Sequence, residues 1–306
     1  MTERLLKIGT RGSPLALIQA ELVRDQMMAA HEGLVVEIVV ISTTGDRIQD
    51  RTLAAIGGKG LFTKEIEQAL FDGTVDIAVH SAKDMLTEFP SGLKLGSILA
   101  REDTRDAIIS RDGKGLDDLV AGSVIGTASL RRQAQILARR PDLKVVPFRG
   151  NVETRLRKLD EAQADATLLA IAGLNRLAKA DLASEVLEPE ILLPAVGQGA
   201  IALEIREDDA FTNEATAVLN DPQASAEVRS ERAVLAVLDG SCRTPIAGLA
   251  CADMEAGTLH LRALVAKPDG SIVYTAERSG SVADAEAIGR EAGQELKSTA
   301  GPNFLP

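Results

Sequence analysis

From Leu5 to Gly173 one pattern recurs: a short β-branched run, a turn of Gly, Ser or Thr, then an amphipathic helix. LLKIG (5–9) leads through Thr10, Arg11 and Gly12 to Ser13-Pro14. Serine as N-cap and proline at the first helical position predict a helix over LALIQAELVRDQMMAA. Leu15, Ile18 and Leu22 mark its expected buried face, and Met27 and Met28 read as core filling. VVEIVVIST (35–43) is the next strand, and LFTKEIEQAL (61–70) has Phe62, Ile66, Ala69 and Leu70 at helical spacing. VDIAVHS (75–81), SVIGTAS (123–129), KVVPF (144–148) and ATLLAIAG (166–173) are further strands. Strands alternating with helices predict an α/β chain with a largely parallel, doubly wound sheet, whose ligands bind beyond the carboxyl ends of the strands. Those ends carry Arg11, Ser13, Ser81, Lys83, Asp84, Ser129, Arg131, Arg132, Arg149 and Arg176, which the pattern places at one cleft.

Near Asp221 the grammar changes. A helix, AEVRSERAVLAVLDG, is expected to end with Gly240 as its C′ residue. The strands PIAGLACAD, TLHLRALVA and SIVYTAERSG follow, the last two joined by the turn Lys267-Pro268-Asp269-Gly270, and DAEAIGREAGQELKS closes the chain as a helix. This predicts a small α+β domain with Cys242 at its entrance. A chain of 306 residues holds about two or three domains.

Charge is distributed unevenly. The chain carries a formal −11, yet nine basic residues face two acidic ones between Thr127 and Lys158. Such an inversion suits a site for something anionic. Arg139 and Arg140 lie late in a helix before Pro141, where cations suit the helix terminus, and read as structural. Arg131, Arg132, Arg149 and Arg155 follow apolar runs and small residues and are the better ligand contacts. Aromatics at 2% and the net acidity argue against nucleic acid. No apolar run approaches the ~20 residues of a membrane span. The N-terminal MTERLLKIGTRGSP lacks the apolar stretch of a secretory signal, so the cytoplasm is the expected compartment. Two cysteines without CxxC and three scattered histidines predict no metal site, and a cytosolic setting argues against a Cys242–Cys251 disulfide.

HSAKDM (80–85) places a cation beside a carboxylate after a buried strand. It reads either as a surface ion pair with a turn aspartate or as a site in which the Asp84 charge stabilises a cationic intermediate or steers protons. His80 is expected to point into the core or to pair with backbone, and is no candidate catalyst. In GSCRTP (240–245), Cys242 is either a small buried hydrophobe or, beside Arg243, a thiol poised as thiolate; Cys251 lies in an apolar strand and reads as structural. GGKG (57–60) lacks the spacing and the Ser or Thr of a nucleotide phosphate loop. The stretch RIQDRTLAAIGGKG reads as a lid that brings Lys59 over the cleft.

At these residues the sequence closely resembles the porphobilinogen deaminase (hydroxymethylbilane synthase) family, over essentially its whole length. The matching segments are KIGTRGSPLAL, TTGD, GGKGLFTKE, DIAVHSAKD, REDTRDA, GTASLRRQ, FRGNVETRL, LPAVGQGA and LDGSCRTPIAG. The resemblance implies a dipyrromethane cofactor, built from two substrate molecules and joined by a thioether to Cys242. It implies three domains: 1–99 with 195–219, 100–194, and 220–306, the first two having the doubly wound fold of periplasmic binding proteins. Asp84 is implied as the catalytic carboxylate, steadying charge on pyrrole nitrogens while porphobilinogen loses ammonia. Binding of cofactor and substrate is implied for Arg11, Ser13, Lys59, Ser81, Lys83, Thr127, Ser129, Arg131, Arg132, Arg149, Gly150, Arg155, Arg176 and Gln198, with Phe62 packed over the reacting ring. The implied activity is stepwise addition of four porphobilinogen molecules and hydrolytic release of hydroxymethylbilane, in tetrapyrrole and heme biosynthesis. A cytoplasmic monomer acting on this small molecule, with no nucleic acid, membrane or metal, completes the expectation. Arginine suits the task because its planar fork grips carboxylates bidentately. Ala82, Met85 and Leu86 depart from the family's usual Met, Val and Pro beside the catalytic pair. Two rival readings are a non-catalytic two-lobed small-anion binder and a DNA-contacting regulator, the latter lacking any helix-turn-helix segment.

Overall fold

A computed structural model describes residues 4–47, 63–240, 244–302 and 304. Among them, 4–47, 63–101 and 200–225 form one compact unit, and 102–199 with 226–304 a second.

The first unit is built on a five-stranded sheet ordered β2-β1-β3-β10-β4, from Leu34–Val40, Arg4–Thr10, Ile77–Ser81, Ile201–Arg206 and Leu93–Ile98. Helix α1 (Pro14–Ala30) starts as the sequence predicts, with Ser13 accepting from the Ala16 N–H and Pro14 in the first turn. Its buried face is different from the expected one. Gln19, Ala20, Val23 and Met27 turn inward, whereas Leu22 and Met28 are exposed and Leu15 and Ile18 only half-buried. The i, i+3, i+7 set Ala20, Val23 and Met27 meets Leu6, Ile8, Ile77 and Leu203 of the sheet in one core, and that contact fixes the helix's rotation. Helices α2 (Thr44–Arg47) and α3 (Lys64–Phe71) follow, with Ile66 and Leu70 packed on Val75, Ala78 and Leu93.

In the second unit a sheet ordered β7-β6-β8-β5-β9 uses Lys144–Val146, Val124–Gly126, Ala166–Ala170, Asp106–Ser110 and Glu185–Leu187. Helices α4 (Leu130–Arg139), α5 (Val152–Asp160) and α6 (Ile171–Arg176) connect or follow its strands. Each large sheet is largely parallel, as expected: four of its five strands run in one direction and one is reversed, β10 against β3 and β4, and β5 against β8 and β9. Strand composition reports burial but not direction, so the single reversed strand of each sheet is what the sequence does not reveal.

Helices α7 (Ala210–Ala217) and α8 (Pro222–Val237) lead to the antiparallel sheet β11-β12-β13, formed by Ile246–Asp253, Thr258–Ala266 and Val273–Ser281. Helix α9 (Ala285–Ala300) covers it through Ile288, Ala292 and Leu296, against Val234, Leu261 and Val265. The predicted hairpin turn is present: Gly270 has φ +73 and its N–H bonds the Lys267 carbonyl at 2.9 Å. After α8 the left-handed residue is Asp239 (φ +51), not Gly240. Gly240 serves close packing instead, since a Cβ there would lie 2.6 Å from Ile246 and 2.9 Å from Leu235. Cys251 stands on the exposed face of β11. Among the described residues, no helix is long and apolar enough to cross a membrane.

Candidate active site

In the first unit, strand β3 is buried from Ile77 to His80 and delivers its next residues to a cavity. A single 3-10 turn, Ala82–Asp84, follows. Ala82 is buried and its N–H bonds the Ala200 carbonyl at 3.0 Å, so the turn is pinned to the sheet and Asp84 emerges exposed beyond it. The cavity holds about 450 Å³ of space open to solvent, and its walls include Arg11, Ser13, Gln19, His80, Ser81 and Asp84. Arg11 and Ser13 come from the loop between β1 and α1, whose first turn is fixed by the Ser13 cap. Lys83 lies beside this wall, half-buried.

Two polar residues missed by sequence reasoning hold this wall in place. Gln19, buried on α1, donates from Nε2 to Ser81 Oγ at 3.0 Å and accepts at Oε1 from the same hydroxyl at 3.2 Å. A glutamine in the middle of an otherwise apolar helix face was the available signal. His80 is buried as expected, but its partner is not backbone: Nε2 lies 3.0 Å from Oε2 of Glu204, itself 1% exposed. The third carboxyl here, Glu67, is pushed up by burial; the neighbouring Glu204 charge adds to this, while the Thr63 hydrogen bond, His80 and Lys64 oppose it.

The second unit gathers the cationic residues. Ser129 caps α4, accepting from the Arg132 N–H at 3.4 Å, and its own N–H donates to Thr127 Oγ1 at 3.1 Å. Arg131 and Arg132 therefore occupy the first turn of a helix, where the macrodipole disfavours cations. Both are buried, and both turn to Asp106: Arg131 Nη2 lies 2.7 Å from Oδ2, Arg132 Nη2 2.6 Å from Oδ1. Gln198 Nε2 donates to the same Oδ1 at 3.0 Å. Burial pushes the Arg131 guanidinium down, Asp106 pulls it up, and Arg132 adds to the lowering. One carboxylate against two guanidiniums leaves this buried cluster an excess positive charge, which suits a group bearing carboxylates. Asp106 also escaped sequence reasoning, although it lies within REDTRDA.

Arg149, Gly150 and Arg155 form a second basic corner. Gly150 has φ +126, and its carbonyl accepts from Arg155 Nε at 2.9 Å. Asn151 caps α5 through the Thr154 N–H at 2.9 Å, and Lys158 Nζ donates to the Arg149 carbonyl at 3.0 Å. Arg176, at the end of α6, donates to the Gly199 carbonyl at 2.7 Å; burial lowers its guanidinium while Glu102 acts in the opposite direction. Arg139 and Arg140 are structural as expected, bound to Asp117 and Asp142. The structure thus brings Arg11, Ser13, Ser81 and Asp84 to one cavity and Thr127, Ser129, Arg131, Arg132 and Gln198 to one cluster. Lys59, Phe62 and Cys242 lie outside the described residues. No group of three or more His, Cys, Asp or Glu suited to a metal occurs among the described residues.

Two family models match the chain: "Porphobilinogen deaminase, dipyromethane cofactor binding domain" over residues 6–214 and "Porphobilinogen deaminase, C-terminal domain" over 225–298. Among curated relatives, the porphobilinogen deaminase of Nitrobacter hamburgensis is 53% identical over 306 residues, covering 99% of this chain and 96% of its own. That of Paracoccus denitrificans is 53% identical over 303 residues, covering 98% and 96%. Among solved structures, the probable amino-acid ABC transporter extracellular-binding protein ytmK of Bacillus subtilis is 10% identical. It covers 69% of this chain and 88% of that one at a TM-score of 0.46, a likeness too loose to bear on function.

Proposed function

The chain belongs to the porphobilinogen deaminase family, and we propose on that premise that Asp84 is its catalytic carboxylate and Cys242 the attachment point of its cofactor. The activity is that of a hydroxymethylbilane synthase, a transferase of tetrapyrrole biosynthesis that joins porphobilinogen units with loss of ammonia and uses a dipyrromethane cofactor. When bound, the cofactor supplies the primer on which the chain grows.

The assignment of Asp84 is carried by its placement: an exposed carboxylate at the end of a pinned turn, in a cavity shared with Arg11 and Ser13. Arg11 and Ser13 hold substrate carboxylates, and Ser81, fixed by Gln19, shapes the same wall. The Asp84 carboxylate then offsets positive charge that develops on a pyrrole nitrogen as the amine departs, an interaction stronger in the transition state than before it. Lys83, Lys59 and Phe62 complete this side of the reading, Phe62 by packing over the reacting ring.

In the second unit, Thr127, Ser129, Arg131, Arg132 and Gln198 take carboxylate arms of the cofactor, and Arg149, Gly150, Arg155 and Arg176 those of the growing chain. The excess of guanidiniums over carboxylates around Asp106 supports carboxylate binding by the first of these groups. We read the chain as three domains, 1–99 with 195–219, 100–194, and 220–306; the gap between the two family matches and the separate third sheet support the last boundary. All proposed residues lie on one polypeptide, so a monomer suffices. A cytoplasmic setting suits a chain with two cysteines.

Intact-mass measurement tests the reading. The protein expressed with porphobilinogen available should be heavier than its sequence by two linked pyrrole units, and Cys242→Ala should lack the excess. A wild-type mass equal to the bare polypeptide would overturn the attachment.

A further inference from the structure

We propose that Asp106, to which no role is assigned above, is the positioning residue of the cofactor cradle: it aims Arg131 and Arg132 and sets their net charge. Asp106 begins strand β5, which lies between β8 and the edge strand β9, and is 0% exposed. Its Oδ1 accepts from Arg132 Nε at 3.1 Å and Nη2 at 2.6 Å, and from Gln198 Nε2 at 3.0 Å; its Oδ2 faces Arg131 Nη2 at 2.7 Å. One buried carboxylate therefore ties together three of the residues proposed to hold the cofactor.

The remaining bonds fix the direction of each fork. Arg132 Nη1 donates to the Leu168 carbonyl at 2.9 Å, and Arg131 Nη1 to that of Leu193 at 2.7 Å. Each guanidinium carries more N–H groups than these bonds use, so both keep donors for an incoming carboxylate. Two guanidiniums this close, in the first turn of a helix, repel one another and the helix dipole. Asp106 cancels one of the two charges and leaves the other for the ligand. Without it the forks separate and the geometry for bidentate capture is lost.

The inference rests on the cofactor assignment above, and the test separates the two. Asp106→Asn keeps the size and an acceptor oxygen but removes the charge; Asp106→Glu keeps the charge and lengthens the side chain by one methylene. Each variant is prepared as apoprotein, and its mass gain on incubation with porphobilinogen is followed, with thermal unfolding measured in parallel. A charge-positioning role predicts that D106N takes up the excess mass at least tenfold more slowly than wild type and that D106E exceeds D106N. Uptake by folded D106N at the wild-type rate, or D106N faster than D106E, overturns it. Should D106N not fold, Asp106→Asn combined with Arg132→Gln restores the original net charge and should fold, and failure to do so also overturns the proposal. A wild-type apoprotein that gains no mass, or gains it equally in Cys242→Ala, refutes the cofactor assignment instead.

Discussion

Gly150→Ala probes whether the basic corner depends on its backbone. A Cβ at Gly150 would lie 2.5 Å from Thr154 Cγ2 and 2.6 Å from Thr154 Cβ, on a residue with φ +126. Carbon contacts settle near 3.5–4.0 Å, so relief requires a shift of about 1 Å. The backbone strain costs about 1–3 kcal/mol. The overlap adds about 1–3 kcal/mol, for a total of about 2–6 kcal/mol. With a urea m-value of about 2 kcal/mol per M, the unfolding midpoint falls by about 1–3 M. Thr154→Ser does not rescue the variant, because it removes Cγ2 and leaves Cβ in place. The same shift displaces the carbonyl that positions Arg155, and a misplacement of about 1 Å is worth roughly 100-fold in rate. Urea titration followed by circular dichroism, with turnover of porphobilinogen on the same samples, measures both. A variant within about 0.5 kcal/mol of wild type and turning over normally refutes the reasoning.

Asp84→Ala should leave stability within about 0.5 kcal/mol of wild type, since the side chain is exposed. It should lower kcat by about 100-fold or more, and near-normal turnover would remove Asp84 from the catalytic role. Burial raises the Glu67 carboxyl above its ordinary value of 4.5, so the folded chain binds that proton more tightly than the unfolded one. Stability is then lost as pH rises from the ordinary carboxylate range to the raised value. Glu67→Gln should accordingly raise the urea midpoint at about pH 7 and lose that advantage at about pH 3, where both states of the wild type are protonated; a lower midpoint at neutral pH contradicts the sign.

Much of the fold was legible wherever one local rule acts alone. Ser13-Pro14 starts α1 because a capping hydroxyl and a residue without an N–H both suit a helix N-terminus. Lys267 to Gly270 turns β12 into β13 because Gly270 accepts a positive φ. What failed was set by distant chain. Leu22 looks as apolar as Val23, and only the sheet under α1 decides which is buried. β10 lies outside the strands the sequence predicts, and it pairs antiparallel with β3 and β4, from more than a hundred residues earlier.

The site divides along the same line. Its cationic residues were legible because nine basic residues in an acidic chain need a local reason. Their arrangement was not, because a guanidinium's direction is set by whatever accepts its hydrogen bonds. LRRQ at a helix start already poses a problem: two adjacent cations sit where the dipole is positive, so a counter-charge must approach from elsewhere in the fold. Sequence spacing cannot say which of many acids supplies it. The sheet does, by setting β5 next to β8 so that Asp106 faces both side chains from the strand that precedes their helix by some twenty residues. The acid that makes the pair tolerable in the apoprotein also limits how much charge the ligand has left to meet. Folding and ligand binding therefore draw on the same carboxylate, which is why its substitution should act on both.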